Sequence, residues 1–335
     1  MSELVSILIP CYNAEEWLNQ TLKSAFSQTW PNKEIIIVDD GSTDKSLQIA
    51  KEYESGILKL ISQENRGAAA ARNTALLHAQ GNYIQWLDAD DLLAPDKIEC
   101  QMLETARLEN PRILFSSSWA EFHYRYQKAR FLPNSLWRDL EPVDWLVTRF
   151  ERDVYMTSTS WLVSRTLTEL AGPWDERLTV DDDGEYFARL VSKSNKIIFV
   201  PKARSYYRRH SLKSLSSGCS ENGRQSQFLS KILCIGYLRG LEDSERTRKA
   251  CMEFLRSDLS FLEEDESIMQ EVSILAGELG GELSPTKPKW RLFLARVILG
   301  RKLAAKIRRW NWELKVLIKV NWDRLLFVLI DQSLK

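Results

Sequence analysis

Short apolar runs alternate with amphipathic stretches over the first third of the chain. The runs at residues 4–10, 34–38, 57–61 and 83–87 are short and mostly apolar, as expected of strands buried in a sheet. Helical spacing of apolar residues follows the first run, at Trp17, Leu18, Leu22 and Phe26. This alternation predicts a doubly wound parallel sheet flanked by helices.

The pattern changes after about residue 110, where strands and helices no longer alternate regularly. Strands are predicted at 113–118, 120–126, 156–163, 196–200 and 204–208, and helices at 142–150 and 183–192. Beyond residue 221 the spacing is helical only, over 225–241, 244–262, 268–279 and 290–330. The predicted organisation is therefore a domain at 1–218, a helical region at 219–284 and a helical tail at 285–335.

Polar clusters follow three of the four predicted parallel strands. They are Cys11-Tyr12-Asn13, Asp39-Asp40 and Asp88-Ala89-Asp90-Asp91. Because the carboxyl ends of parallel strands meet at one edge of a sheet, we expect these clusters to converge on one ligand. Crowded acids favour a divalent cation that carries a phosphate; the alternative is a solvated acidic turn that caps the next helix. A dinucleotide site is disfavoured, since no GxGxxG follows the first strand.

Composition narrows the class of protein. The chain has 335 residues, of which 44% are hydrophobic and 27% charged, which is typical of a globular protein. Its five cysteines are scattered without a CxxC pair and its three histidines lie far apart, so a zinc site or disulfide framework is disfavoured. With no signal peptide and no long apolar span expected, the interpretation is a cytoplasmic protein with reduced thiols.

Charge is uneven although the net charge is zero. Residues 286–335 hold 13 Lys and Arg against 3 Asp and Glu, so the remaining chain is acidic. Apolar residues and Trp share this basic helical tail, which favours peripheral contact with an anionic membrane, here the inner face of the plasma membrane. The alternative is packing of the tail on the acidic body. A nucleic-acid partner is disfavoured, since the stacking motifs of known modules are absent.

Four ordered motifs carry a family resemblance over roughly residues 4–215. They are Ser6-Ile7-Leu8-Ile9-Pro10-Cys11-Tyr12-Asn13, Val38-Asp39-Asp40-Gly41-Ser42-Thr43-Asp44, Asn65-Arg66-Gly67 with Ala71-Arg72-Asn73, and Trp86-Leu87-Asp88-Ala89-Asp90-Asp91. Together they resemble the family 2 glycosyltransferases of the GT-A fold. The resemblance implies a Rossmann-like mixed α/β sheet flanked by helices, followed here by a C-terminal all-helical region. It also implies inverting transfer from a nucleoside-diphosphate sugar to a glycan or lipid-linked acceptor hydroxyl.

The resemblance assigns roles on the donor side. It implies donor contacts at Pro10, Tyr12, Asn13, Asp40, Arg72, Asp88 and Arg208, and a Mn²⁺ or Mg²⁺ site at Asp90, Asp88 and His210. The residue types fit these roles: an aromatic face and an acceptor suit a nucleobase, and a guanidinium suits a diphosphate. The alternatives are that Tyr12 is a core residue, that Asp39-Asp40 cap a helix, and that Arg72 lies on a helix surface.

A second acidic cluster carries the predicted general base. Asp181-Asp182-Asp183 with Arg189 is similar to the family's Glu-Asp motif followed by Arg six residues on, which puts the base at Asp183 and Asp182 in place of the usual Glu. Crowding raises carboxylate pKa values, which helps a base. Asp182 and Asp183 remain exchangeable in this role, and the alternative is a charged helix N-terminus.

Two other functions compete with transfer. An inactive nucleotide-sugar-binding or scaffolding protein of the same fold is disfavoured, because both acidic clusters are intact. A nucleotidyltransferase is disfavoured, because a Gly-rich basic phosphate loop does not follow the first strand.

Overall fold

A five-stranded sheet forms the centre of the fold. The computed structural model describes residues 2–209, 220–262, 265–283 and 320–328. The strand order is β3-β2-β1-β4-β7. The strands are β1 (Val5–Cys11), β2 (Lys33–Asp40), β3 (Leu58–Gln63), β4 (Tyr83–Trp86) and β7 (Val163–Ser164). The first four run parallel and β7 is antiparallel to β4, which confirms the predicted mixed α/β sheet.

A three-stranded sheet of order β5-β8-β6 adjoins the first. Its strands are β5 (Leu92–Leu93), β6 (Ile113–Phe122) and β8 (Lys196–Arg208). Both long strands were predicted as two pieces each; the break is only an irregularity in register between Ser117 and Ser118. The predicted strand at 156–163 is wrong. Ser158–Ser160 forms a 3₁₀ turn, and Ser160 Oγ donates to Thr157 O at 2.6 Å, a local bond that competes with strand pairing.

Helices cover both faces of the central sheet. Those of the first part are α1 (Leu18–Phe26), α2 (Ser46–Glu52), α3 (Ala68–His78), α4 (Lys97–Leu108), α5 (Pro142–Arg152), α6 (Arg165–Ala171) and α7 (Asp182–Lys193). The C-terminal helices are α8 (Glu221–Leu241), α9 (Glu245–Ser257), α10 (Leu259–Leu262) and α11 (Glu266–Glu278). The helix predicted over 244–262 is divided near Asp258, the C-cap of α9. Residues 320–326 are also helical.

The core explains why successive residues of β1 are apolar. Alternate residues of one strand enter different clusters: Ile7 joins one face of the sheet and Leu8 the other, and both are fully buried. Each such side chain contributes roughly 1.5–3 kcal/mol of burial. Helix α9 belongs to the same core, because Phe254 stacks on Phe150 of α5 at 4.1 Å. Among the described helices, none is long and apolar enough to cross a membrane.

Candidate active site

Arg72 joins the two acidic clusters that the sequence places far apart. Its Nη2 donates to Asp88 Oδ1 at 2.8 Å, at the end of β4, and its Nη1 donates to Asp182 Oδ2 at 2.5 Å, at the start of α7. The guanidinium lies 4.4 Å from the ring centroid of Trp174. Arg72 is therefore buried between the two acidic clusters, in the crevice that they border, and does not lie on a helix surface.

The start of α3 explains how an arginine reaches this position. Gly67, with φ of 92°, precedes the helix, and the buried residues Ala69 and Ala71 let the helix pack closely on the sheet. Burial alone would lower the pKa of Arg72, but the carboxylates of Asp182 and Asp88 outweigh it and raise the pKa. Arg72 is therefore a permanent cation between the clusters.

The first acidic cluster divides into exposed and buried carboxylates. Asp88 and Asp90 are partly exposed, whereas Asp91 is buried. Burial raises the pKa of Asp88, with Arg72 opposing this shift. Burial, then the charges of Asp90 and Asp88, raise the pKa of Asp91 well above its usual value. Asp91 Oδ1 accepts the backbone N–H of Arg208 at 2.8 Å. Asp91 thus anchors the loop rather than capping α4.

Arg208 supports this loop from inside the protein. Its Nε donates to Asp90 O at 2.7 Å, and its two other nitrogens donate to His123 O and Gln20 Oε1, each at 2.6 Å. Trp17 also contacts the guanidinium, which lies 4.0 Å from its ring centroid. The donor contact of Arg208 stays a prediction; in this structure each guanidinium nitrogen donates to a protein acceptor, so Arg208 also positions the backbone of Asp90.

The three neighbouring acids of the second cluster have different surroundings. Asp181, in the left-handed conformation with φ of 59°, accepts a 2.6 Å hydrogen bond from Ser230 of α8. Asp182 is paired with Arg72. Asp183 Oδ1 accepts the backbone N–H of Gly184 at 2.9 Å. Burial, then the charges of Asp182 and Asp181, raise the pKa of Asp183 to about 7.

Residues that sequence reasoning missed hold this cluster in place. Tyr237 of α8 donates to Glu185 at 2.5 Å, and Glu185 forms a two-bond ion pair with Arg189 at 2.8 and 2.9 Å. A side chain at Gly184 would meet Asp181, because an added Cβ would lie 2.0 Å from Asp181 Oδ1. The only sequence signal for this support was Arg189, since Tyr237 and Ser230 lie in a helix without a motif.

The donor-side residues meet at the carboxyl ends of β1 and β2. Tyr12 is 52% exposed, so its ring is accessible and is not a core residue. Asn13, with φ of 48°, accepts from Thr43 N at 2.8 Å and donates its N–H to Ser42 Oγ at 3.0 Å. Pro10 is partly buried and pairs with Val38 in the sheet. Tyr12 thus projects from a loop that Asn13 locks.

The two acids at the end of β2 have unexpected surroundings. Asp40 is buried and accepts hydrogen bonds from the backbone of Arg66 and Gly67, at 2.9 and 2.8 Å. It therefore holds the turn that starts α3. Asp39 accepts from Ser42 N at 3.3 Å, while its Oδ1 is buried without a hydrogen-bond partner in the described structure. The carboxylate oxygen without a hydrogen-bond partner at this strand end therefore belongs to Asp39, although the nucleobase contact was predicted at Asp40.

The carboxylate oxygens of Asp88 and Asp90 are the type of ligand that hard divalent cations prefer. No group of three His, Cys, Asp or Glu within the described ranges is arranged to hold a metal ion. Asp88 and Asp90 offer two carboxylates, and Mg²⁺ or Mn²⁺ commonly takes one or two carboxylates and completes its shell with substrate phosphates and water. His210, the third predicted ligand, lies outside the described residues.

The fold and this crevice define the class: a GT-A glycosyltransferase fold. The S. aureus TarS 1-349 structure in complex with UDP-GlcNAc superimposes with a TM-score of 0.63 at 20% identity, covering 82% of this chain and 80% of that one. Residues 6–167 match the family model described as glycosyl transferase family 2. The chain thus carries a domain of glycosyl transferase family 2.

Three curated relatives are also glycosyltransferases by name, and their alignments with this chain differ in length. An uncharacterized glycosyltransferase of Haemophilus influenzae is 42% identical over 120 residues, 35% of this chain and 47% of the relative. The Escherichia coli UDP-Glc:alpha-D-GlcNAc-diphosphoundecaprenol beta-1,3-glucosyltransferase WfgD is 41% identical over 100 residues, 30% of this chain and 40% of that protein. The Borreliella burgdorferi cholesterol galactosyltransferase is 32% identical over 211 residues, 58% of this chain and 57% of that protein. The aligned region thus spans less than two thirds of each relative.

Proposed function

We propose that this protein is an inverting glycosyltransferase that moves a sugar from a nucleoside-diphosphate sugar to an acceptor hydroxyl in polysaccharide or glycolipid synthesis. The observation that carries the proposal is the difference between two adjacent acids. Asp182 is paired with Arg72, whereas burial and the charges of Asp182 and Asp181 raise the pKa of the neighbouring Asp183 to about 7. A base with this pKa is matched to proton transfer near neutral pH.

Asp183 is the general base of the proposed reaction. Its carboxylate takes the proton of the acceptor hydroxyl while the acceptor oxygen forms a bond to the anomeric carbon. The bond between that carbon and the diphosphate oxygen breaks, and its electron pair leaves with the nucleoside diphosphate. Attack from the face opposite the leaving group inverts the anomeric configuration. The base takes up one proton for each bond formed.

Arg72 organises the site for this step. Its two nitrogens fix Asp88 and Asp182 relative to each other, and its permanent charge is favourable near a departing diphosphate. Mn²⁺ or Mg²⁺, when held by Asp88 and Asp90, would supply positive charge that neutralises the leaving group. On this proposal Tyr12 offers its exposed ring to the nucleobase.

The C-terminal segment supports a peripheral membrane position. Asp323 accepts from Arg125 Nε at 2.8 Å and Tyr124 N at 2.9 Å, which docks residues 320–328 on the domain. This leaves Trp322 63% and Leu325 48% exposed within a basic tail. Such a surface suits an anionic bilayer. The printed name of the glucosyltransferase WfgD, whose acceptor is a sugar carried on diphosphoundecaprenol, favours a lipid-linked acceptor, reached from the inner face of the plasma membrane.

Thermal unfolding with a panel of nucleoside diphosphates, with and without Mn²⁺, tests the donor site. A ligand that binds the folded state raises Tm by mass action. We expect one base to raise Tm more strongly with Mn²⁺, and Asp90→Ala to abolish the Mn²⁺-dependent part. Asp96→Ala, an exposed acid at the start of α4, is the control and should retain it. No shift with any nucleotide in a folded sample would contradict the proposed donor site.

A further inference from the structure

Three aromatic side chains form a group beside the proposed base. Trp119 of β6 lies 5.1 Å from Tyr155 and 6.2 Å from Tyr207 of β8, measured between ring centroids. Tyr155 is 42% exposed, while Trp119 and Tyr207 are partly buried. The group therefore presents an apolar surface to solvent, supported from behind by two strands.

Strand register places Trp119 and Tyr207 on one face of the sheet. Glu121 pairs with Tyr207 in the parallel ladder, and Trp119 lies two residues before Glu121, so Trp119, Glu121 and Tyr207 project to the same side. Tyr206, the residue before Tyr207, contacts Tyr126 on the opposite side at 5.2 Å. The opposite face is thus filled with its own aromatic cluster.

The aromatic face lies near Asp183. Burial raises the pKa of Tyr155, and the charge of Asp183 adds to this rise. Burial likewise raises the pKa of Tyr207, with Asp91 and then Asp183 adding to it. Tyr207 also directly precedes Arg208, whose backbone N–H donates to Asp91 Oδ1 at 2.8 Å and whose Nε donates to Asp90 O at 2.7 Å. The aromatic group therefore adjoins the first acidic cluster, and the charge of Asp183 reaches both tyrosines.

A polar rim borders the rings. Arg209 Nη2 donates to Glu121 Oε1 at 2.8 Å and to Tyr155 Oη at 3.2 Å. Both charged side chains are nearly half exposed, 47% for Arg209 and 48% for Glu121. A carboxylate and a guanidinium in water offer acceptors and donors in fixed directions. An apolar floor with a few convergent polar groups is the usual make-up of a small-molecule site.

We propose that Trp119, Tyr155 and Tyr207 form the acceptor subsite, where the apolar face of a pyranose ring packs on the aromatic side chains and Glu121 with Arg209 binds its hydroxyls. This inference rests on the proposed function, since the acceptor hydroxyl must reach Asp183. It assigns the acceptor a cyclic sugar at its reacting end, rather than an acyclic polyol or a bare lipid alcohol. Aromatic faces discriminate these classes, because a flat C–H face buries more apolar area against a ring than a flexible chain does.

Saturation-transfer NMR on the full chain with UDP and diamagnetic Mg²⁺ tests the subsite. The probes are methyl β-D-glucopyranoside and, as the acyclic comparison, D-glucitol. We expect saturation to reach the ring C–H protons of the glucoside and to be much weaker for D-glucitol. Tyr155→Ala should weaken glucoside binding roughly tenfold. Tyr126→Ala removes a tyrosine from the opposite face of the same strands and should leave it unchanged.

Glu121→Gln provides a second variant that keeps every ring. We expect a roughly threefold loss of glucoside affinity, because the ion pair to Arg209 is lost and one charged acceptor disappears. If Tyr155→Ala and Tyr126→Ala bind the glucoside equally, or if wild type does not distinguish it from D-glucitol, the subsite is wrong. UDP binding by the same samples separates the two proposals: UDP binding without glucoside binding overturns only the subsite, whereas glucoside binding without any nucleotide binding overturns the proposed donor site.

Discussion

Arg72 Nη1 lies 2.5 Å from Asp182 Oδ2, although the two residues are 110 positions apart in the sequence. The pair is nearly buried, with side-chain exposures of 8% and 17%. It pairs Asp182 of the second cluster with a cation and leaves Asp183 as the proposed base. The proposed catalytic assignment therefore depends on a tertiary contact.

Removing Arg72 should destabilise the fold. Arg72→Ala leaves Asp88 and Asp182 without their shared cation, and we expect the free energy of unfolding to fall by about 3–5 kcal/mol. Denaturant unfolding measures this change. Arg66→Ala breaks an exposed pair with Glu176, with exposures of 57% and 42%, and should cost less than about 1 kcal/mol. Equal losses in the free energy of unfolding for the two variants would show that the buried pair stabilises the fold no more than the exposed pair does.

Asp183→Asn should separate binding from turnover. The amide cannot accept the acceptor proton, so transfer should fall by roughly 10²–10⁴-fold, while the nucleotide-dependent rise in Tm persists. Radiolabelled sugar transfer and thermal unfolding give the two readouts. Asp153→Asn, an exposed left-handed position that Asn tolerates, is the control and should remain active. Unimpaired transfer by Asp183→Asn would remove Asp183 from the mechanism.

The same variant should be more stable than wild type above neutral pH. The folded pKa of Asp183 is raised to about 7 from an ordinary value of 3.8. Between pH 3.8 and about pH 7 the folded state therefore binds one more proton at Asp183 than the unfolded state does. The free energy of unfolding contributed by Asp183 therefore falls as pH rises through this window and stays low above it. At about pH 8, Asp183→Asn should raise Tm by ~2–4 °C, and the gain should disappear near pH 4. A lower Tm at pH 8 would contradict the raised pKa.

Activity should rise with pH as Asp183 loses its proton. We expect kcat/KM to increase and level off above about pH 7, because only the carboxylate can act as base. Asp182→Asn removes a neighbouring charge that raises the pKa of Asp183, so the rising limb should move to lower pH by roughly 0.5–1 unit. Asp153→Asn should leave the profile in place. A flat profile between about pH 5.5 and 8.5 would exclude a base with this pKa.

The exposed tail face should bind anionic lipid. We expect the full chain to sediment with phosphatidylglycerol vesicles and not with phosphatidylcholine vesicles. The double change Trp322→Ser and Leu325→Ser should weaken this binding roughly tenfold, since two apolar side chains leave the interface. Ile274→Ser alters a 65% exposed apolar residue of α11 and should have no effect. Equal sedimentation of all variants would favour packing of the tail on the body.

Several local features were predictable because they depend on short stretches of chain. The first three predicted strands correspond to β1, β2 and β3. The mostly apolar runs of β1 and β2 fit strands buried on both faces, whereas the edge strand β3 is only partly buried. The segment 156–163 was wrongly predicted as a strand. The hydroxyl of Ser160 donates to the backbone of Thr157, and residue types alone do not reveal such a local bond. Residues in α8 that hold the second acidic cluster, such as Ser230, carry no local signal.

Periodicity and motif order are properties of neighbouring residues, so they were enough to predict the sheet, the family resemblance and the acidic clusters at strand ends. The surroundings of each charged group became visible only in the folded protein. Asp182 is paired while Asp183 keeps a raised pKa, and the guanidinium of Arg208 is enclosed by protein acceptors and an aromatic ring. A carboxylate's pKa and a guanidinium's freedom depend on burial and on the charges within a few ångströms, and folding draws those neighbours from distant parts of the chain.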